Sequence, residues 1–419
     1  MNFFIETIGC QMNVNDSEKI ALFLLEHGCC SVDNIEQADI VILNTCSVRF
    51  SAEHKAYSFL GRVKEYKQQN PDMIVAVVGC MAQYAYKEIK QRFDFVNFVL
   101  GAKHIDEFSK YISKYIDISS SSDITIQNKE NQFFKFVTIM RGCQNFCSYC
   151  IVPYVRGPEI SLDFEDIINE INNLVQNGVK EVTLLGQNVN SYKNKEVNFT
   201  NLLQKISAET DIENIRFMTN HPKDLSDDLI DEISNNSKIC KHIHLPLQSG
   251  SDNILKNMNR KYTYDHYRNL VDKIRNKIPD INITTDIIVG FPGETDNDFD
   301  KTFQAIKQIK FGGIFGFKYS PRPKTLAYKL QDDVSETVKK QRLAILLEES
   351  NKISKQLNGN YIGKTADILV ENFSNDTADG RNSQNIKIFF KYSKNIVGQK
   401  VKVKITKALA NSMTGEIIV

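Results

Sequence analysis

Phe134-Lys135-Phe136-Val137-Thr138-Ile139-Met140 runs directly into Arg141-Gly142-Cys143-Gln144-Asn145-Phe146-Cys147-Ser148-Tyr149-Cys150. The first seven residues are rich in β-branched and aromatic side chains, as a buried strand is. Three cysteines follow at intervals of four and three residues. Thiolates so spaced can each hold one corner of a cubane iron–sulfur cluster, leaving the fourth iron without a protein ligand. A structural zinc site needs a fourth ligand, usually a second Cys pair or a His at fixed spacing, and none follows nearby. A strand that opens onto ligands at its C-terminal end is the geometry of a (β/α) barrel.

Working outward, the β–α beat continues. Glu181–Leu185, Ile215–Met218, His242–Leu247, Ile283–Val289 and Ile314–Tyr319 are further strand candidates. Amphipathic helices separate them, such as 164–176, with Ile167, Ile168, Ile171, Leu174 and Val175 inward and Gly178 as the stop. Six such units in roughly two hundred residues suit an incomplete (β/α)6 barrel, smaller than the eight-fold form. A long charged helix, Ser335 to Leu357, closes this region.

Upstream, Phe3–Ile8, Asp39–Asn44 and Met73–Gly79 read as buried parallel strands. The helices between them are expected to start at Asn15 or Asp16, good N-caps, and near Ser51. The expected fold is α/β: a doubly wound N-terminal domain over 1–118, a Ser-rich linker over 119–131, the partial barrel over 132–357, and a last domain over 358–419. Thr365–Val370, Ile386–Tyr392, Gln399–Thr406 and Glu416–Val419 are strand-like there, with Gly359, Gly363, Gly380 and Gly398 as breakers. A small antiparallel β-barrel of OB-like kind is the natural architecture.

The chain has 419 residues, 42% hydrophobic and 25% charged, with a net charge of +1. Such a balance excludes a disordered chain and gives no global attraction to polyanions, so any such site is local. No apolar run is long enough to span a bilayer and no export signal is visible, so the expected location is cytoplasmic, with no membrane partner. Nine cysteines are then reduced thiols or metal ligands rather than a disulfide framework. Cys10, Cys46 and Cys80 each fall one or two residues past a strand of the first domain. In open α/β sheets those strand ends share one crevice, where ligands bind. A second three-cysteine cluster is therefore expected there, while Cys29, Cys30 and Cys240 are structural.

The Cys143–Cys150 motif in a partial barrel resembles the radical S-adenosylmethionine (SAM) enzymes. Together with the other three cysteines and the C-terminal barrel, it makes the whole chain look like a methylthiotransferase. Gly9-Cys10-Gln11-Met12-Asn13, Asp16-Ser17-Glu18 and Asn44-Thr45-Cys46-Ser47-Val48-Arg49 resemble the tRNA-modifying branch. That resemblance implies two [4Fe–4S] clusters, one on Cys10, Cys46 and Cys80, the other on Cys143, Cys147 and Cys150. The latter binds S-adenosylmethionine, two molecules of which serve each turnover, and all six cysteines are catalytic. It also implies a tRNA anticodon loop as substrate, an electron donor such as flavodoxin or ferredoxin, and a sulfur donor. The reaction would methylthiolate C2 of N6-isopentenyladenosine. The alternatives are a threonylcarbamoyladenosine tRNA methylthiotransferase, a ribosomal-protein (aspartyl) methylthiotransferase, and a non-catalytic iron–sulfur RNA-binding protein.

Gly186, Gln187 and Asn188 follow the second barrel strand, where related enzymes hold the methionine amino group; with Gly290 and Glu294 they are the expected cofactor contacts. The last domain looks like the TRAM nucleic-acid-binding module. From Gln356 to Val419 nine basic residues stand against five acidic ones. Lys400, Lys402 and Lys404 alternate with Val401, Val403 and Ile405, so the ammonium groups share one strand face. These three lysines and Arg381 are the candidate RNA contacts. His221, His242 and His244 are expected to be hydrogen-bonded in the barrel interior without a catalytic role. Three positions depart from the family pattern: Leu162 where Arg is usual, Lys324 where Gly is usual, and Asn382 where Thr is usual.

Overall fold

The computed structural model describes residues 1–47, 50–118 and 133–418. The expected linker and the motif residues Val48 and Arg49 lie outside these residues. The chain divides into two compact units. One is built on the N-terminal residues together with Arg141–Gln144 and Ile151–Glu159; the other holds Asn145–Cys150 and everything from Ile160 onward.

The first unit is a five-stranded parallel sheet. Its strands are β1 (Asn2–Ile8), β2 (Cys30–Ser31), β3 (Ile40–Thr45), β4 (Ile74–Gly79) and β5 (Phe98–Gly101), in the order β2-β1-β3-β4-β5. The helices are α1 (Gln11–Glu26), α2 (Phe50–Gln69), α3 (Cys80–Tyr84), α4 (Tyr86–Arg92), α5 (Phe108–Ile112) and α6 (Val152–Arg156). Side chains alternate across a strand, so each central strand feeds two cores. Val41, Leu43, Val75 and Val77 pack with Phe59, Leu60, Val63 and Ile89 on one face. Ile40, Ile42, Ala76 and Val78 pack with Ile20, Leu24, Phe108 and Ile112 on the other. The sheet is doubly wound, as expected. The helix expected to open at Asn15 or Asp16 starts earlier, with Cys10 as its capping residue. Asn15 and Asp16 are buried within its first turns and cap nothing.

The second unit begins with six parallel strands in two sheets: β6 (Phe134–Thr138), β7 (Glu181–Leu185) and β8 (Asn214–Phe217), then β9 (His242–His244), β10 (Asn282–Val289) and β11 (Gly313–Lys318). A parallel bridge from Ile215 to Ile239 joins the two halves. Helices α7 (Phe164–Gln176), α8 (Phe199–Glu209), α9 (Asp227–Asn235), α10 (Tyr264–Lys277) and α11 (Asp296–Ile309) surround one apolar core that includes Val137, Leu184, Ile215, Ile243 and Ile283. The Asp163 carboxylate caps α7 by accepting the Glu165 N–H, and Gly178 follows it with φ +86°.

Helix α12 (Glu336–Gly359) leads to a closed barrel of β12 (Thr365–Ser374), β13 (Thr377–Arg381), β14 (Lys387–Lys391), β15 (Lys400–Ala408) and β16 (Ser412–Ile418), in the order β12-β13-β14-β16-β15. Two expectations need correction here. The barrel is not wholly antiparallel, because β14 and β16 pair in parallel. Gly380 does not break a strand; it lies inside β13, where a Cβ would sit 2.0 Å from the Leu369 carbonyl oxygen. Glycine allows β12 and β13 to approach at that point. No helix among the described residues is long and apolar enough to cross a membrane.

Candidate active site

In the first unit, sheet register aligns the three cysteine-bearing turns. Ile8 pairs with Thr45, and Thr45 with Gly79, so the three strands end in one row. Cys10, Cys46 and Cys80 each follow that row by one or two residues. Cys46 and Cys80 are buried and Cys10 is exposed. An amide network ties the Cys10 and Cys46 turns together. Asn13 Oδ1 accepts the Cys10 N–H at 3.2 Å, and Asn13 Nδ2 donates to Asn44 Oδ1 at 2.8 Å and to the Thr45 carbonyl at 3.1 Å. Asn44 Nδ2 donates to the Asn13 carbonyl and to Ser17 Oγ, each at 2.9 Å. Gly79 has φ +97°, and a Cβ there would lie 2.5 Å from the Thr45 carbonyl oxygen. Only glycine delivers the chain to Cys80 at this spacing.

The electrostatics of this edge are unusual. Burial pushes the Cys80 thiol up to about 12, with the Arg156 guanidinium pulling the other way and Cys46 and Cys10 adding to the rise. Arg156, at the end of α6, is buried, and its Nη1 and Nη2 have no hydrogen-bond partner. Nη2 lies 3.5 Å from Asp16 Oδ2, while Arg141 Nη1 donates to Asp16 Oδ1 at 3.0 Å. Among the described residues no three His, Cys, Asp or Glu side chains are grouped to hold a single metal ion. A cubane asks for something different, one iron to each thiolate. Two buried donors near Cys80 and Cys10 suit a sulfur-rich anion. Cys143 also belongs to this unit, buried, its N–H donating to the Gly157 carbonyl at 3.2 Å.

Cys147 and Cys150 belong to the second unit, with the Cys150 N–H on the Cys147 carbonyl at 3.0 Å. Ser148 pins this turn, its N–H on the Met258 carbonyl and its Oγ on the Asn257 carbonyl. Arg260 is buried and donates from Nη1 to Cys147 Sγ at 3.2 Å, from Nη2 to the Pro246 carbonyl and from Nε to Tyr262 Oη. A residue more than a hundred positions away left no sequence signal for this contact; nor did Arg156 for its own.

At the C-terminal ends of the barrel strands, Asn188 Oδ1, Asn220 Oδ1 and Gln248 Oε1 are buried acceptors without partners. Asn188 donates from Nδ2 to Asp224 at 2.7 Å, so its carbonyl end is the one left open. Each such acceptor is open to a donor from a bound group. Gly186 is held tight, since a Cβ would come 2.4 Å from Met140 Cγ; Gln187 lies beside it. Glu294 is tied into the turn after β10. Its Oε1 accepts the Gly290 N–H at 2.8 Å and Arg342 Nη1 at 2.6 Å, fixing a turn where Gly290 has φ +69°.

His242 and His244 both meet Thr284 Oγ1 at 3.0 Å, and His221 Nδ1 accepts the Lys223 N–H at 3.2 Å. Lys402 and Lys404 are exposed on β15, while Lys400 reaches Glu213 at 2.7 Å. Arg381 is paired with Glu371 and lies over the Phe134 ring. Of the departures, Leu162 packs against the barrel core and Asn382 Oδ1 accepts the Ile386 N–H at 2.9 Å. Lys324 has φ +73°, a conformation that explains why glycine is usual there.

Three family models match the chain: the uncharacterized protein family UPF0004 over residues 2–101, the radical SAM superfamily over 137–306 and the TRAM domain over 359–418. Among solved structures, a radical S-adenosylmethionine methyltransferase from Kitasatospora setae has a TM-score of 0.55 at 12% identity, covering 75% of this chain and 72% of that one. A cobalamin-dependent S-adenosylmethionine radical enzyme has a TM-score of 0.52 at 9% identity, over 85% and 56%. These two share the fold. A curated relative from Acetivibrio thermocellus, a tRNA-2-methylthio-N(6)-dimethylallyladenosine synthase, is 43% identical over 99% of this chain and 91% of its own length. One of the same name from Endomicrobium trichonymphae is 49% identical over 100% of both. With that match running from end to end, the chain belongs to the tRNA-2-methylthio-N(6)-dimethylallyladenosine synthase family of the radical SAM superfamily.

Proposed function

We propose that the chain is a radical SAM transferase that methylthiolates C2 of N6-isopentenyladenosine next to the anticodon of tRNA, using two [4Fe–4S] clusters. The relatives' shared name supports the substrate. The observation that carries the second cluster is the aligned row of strand ends, Ile8, Thr45 and Gly79, from which Cys10, Cys46 and Cys80 follow. Cys143, Cys147 and Cys150 would hold the other cluster. When bound, these groups supply one-electron cleavage of S-adenosylmethionine to a hydrogen-abstracting radical, the sulfur to be inserted, and a methyl group from a second S-adenosylmethionine.

The chain's own residues bind and orient. Asn188, Asn220 and Gln248 offer their open carbonyl oxygens to the methionine amino group. Asn13 and Asn44 hold the Cys10 and Cys46 turns of the first sheet in one arrangement, and Arg260 fixes Cys147. Lys402 and Lys404 would meet tRNA phosphates, and the target adenosine must leave its stack to be reached. An electron donor such as flavodoxin or ferredoxin and a separate sulfur donor complete the cytoplasmic system.

Two measurements test this. tRNA from cells lacking the protein should keep isopentenyladenosine and lose its 2-methylthio form; an unchanged nucleoside profile overturns the substrate. Anaerobically reconstituted protein should hold about eight iron, and the Cys143→Ala, Cys147→Ala, Cys150→Ala variant about four. Only four in the parent protein would remove the second cluster.

A further inference from the structure

Arg156 is a buried charged group at the Cys10/Cys46/Cys80 edge whose position the cysteines alone do not explain. It is 7% exposed, and neither Nη1 nor Nη2 makes a hydrogen bond of good geometry, although Cys80 and Asp16 are near neighbours. Leaving a buried guanidinium's donors unused is costly, more so than for a neutral group. Such a group in a native protein has a specific reason, a bound ion or a redox role among them. The surroundings identify the ligand's chemistry. Asp16 is 3.5 Å from Nη2 and already accepts from Arg141, so its carboxylate is shared between two guanidinium groups, while Arg141 also reaches the exposed Asp106 at 3.4 Å. The other neighbour is sulfur: Cys80 and Cys10 both act on the Arg156 charge. What this edge lacks is anionic, sulfur-rich and able to accept from two donors.

We propose that Arg156 is a positioning residue that donates both Nη groups to the sulfurs of a cluster bound by Cys10, Cys46 and Cys80, holding that cluster's reduction potential above the value that the three thiolates alone would set. The proposal rests on the two-cluster reading given above. Adding an electron makes a thiolate-bound cluster more negative, which the low-dielectric surroundings of the buried Cys46 and Cys80 oppose. A buried guanidinium and its hydrogen bonds favour the reduced form. Asp16 dilutes that charge, so the two residues should act in opposite directions. A guanidinium that only packed would give no such opposition.

The experiment uses the full chain carrying Cys143→Ala, Cys147→Ala and Cys150→Ala, so that only the first-sheet cluster is present. Iron is counted first, and the cluster is then titrated reductively under electron paramagnetic resonance. Arg156→Gln should lower the reduced-to-oxidised ratio at a fixed potential at least tenfold, which for a one-electron couple is about 59 mV. Arg156→Lys, keeping the charge and losing the fork, should fall between. Asp16→Asn should shift the ratio the other way. Coincident titrations in iron-replete variants, or shifts of one sign for Arg156→Gln and Asp16→Asn, overturn the proposal while leaving the two-cluster reading intact. An iron-free background variant overturns that reading and the proposal with it. If Arg156→Gln does not hold a cluster, the opposite signs expected of Arg156→Lys and Asp16→Asn still decide.

Discussion

Asn13 joins two turns of the first cysteine edge, since its amide meets Cys10, Asn44 and Thr45 at once. Asn13→Ala leaves Asn44 Oδ1 and a carbonyl oxygen buried without a donor, at a cost of about 1–3 kcal/mol for each unsatisfied group. The expected outcome is loss of iron from the first-sheet site with the second site unaffected. Iron counting in Asn13→Ala, with and without the Cys143, Cys147 and Cys150 substitutions, checks it; full iron in both would mean the amide network is dispensable. Cys10, Cys46 and Cys80 were readable in the sequence because each follows a recognisable strand. Asn15 and Asp16 were misread because a polar residue ahead of an apolar helical pattern resembles a cap, whereas here Asp16 serves two arginines. Arg156 and Arg260 gave no warning, since their partners are set by tertiary contact rather than spacing.

At the scale of elements, β15 carries the test of RNA contact. Lys402 lies opposite Asp367 and Lys404 opposite Glu416, so cross-strand ion pairing competes with phosphate as the reason for the stripe. If phosphate contact is the reason, changing Lys402 and Lys404 to Gln should flatten the log–log salt dependence of tRNA binding by about 1.4 to 1.8. Lys400→Gln should do less, because Glu213 already holds that ammonium group. An unchanged slope in the double variant assigns the lysines to their cross-strand acids. The barrel strands β6 to β11 were legible because β-branched runs and helix stops alternate through the whole region. Strand β13 was not: Thr377-Ala378-Asp379-Gly380-Arg381 has little intrinsic strand preference, and only pairing with β12 and β14 makes it one. Gly380→Ala should therefore destabilise the small barrel, because the added methyl meets the Leu369 carbonyl. A lowered melting transition is the expected reading.

Across the second unit, pH sensitivity follows from groups buried in their neutral or paired forms. Burial, with Arg260 and Lys223 nearby, lowers the pKa of His221 to about 2, and burial lowers that of His242 well below the ordinary value. Both histidines take a proton when unfolded, near pH 6.5, and refuse it when folded. Stability should thus fall as pH drops below about 6.5, by up to about 1.4 kcal/mol per pH unit for each histidine. Urea unfolding at pH 7, 6 and 5 measures it, and His221→Gln should lower the slope by one proton. Glu181 acts in a lower window. Burial raises its pKa, but Arg216 and Arg381 outweigh that and hold it below the usual carboxylate range. Its contribution is present above about pH 4.3 and lost as pH falls through the depressed value. Arg216 also donates to the Asn382 carbonyl at 2.9 Å, so this pair joins the (β/α) strands to the small barrel.

The last strand, β16, lies between β14 and β15 and closes the small barrel. During synthesis the barrel therefore stays open until its final strand emerges, however long the earlier four have been available. A chain ended early, by a stop codon or a nick after Ala410, would expose the edges of both β14 and β15 to pairing with other chains. Late truncations should accumulate as aggregates or be degraded, while the upstream parallel strands, whose pairing needs nothing from β16, remain foldable.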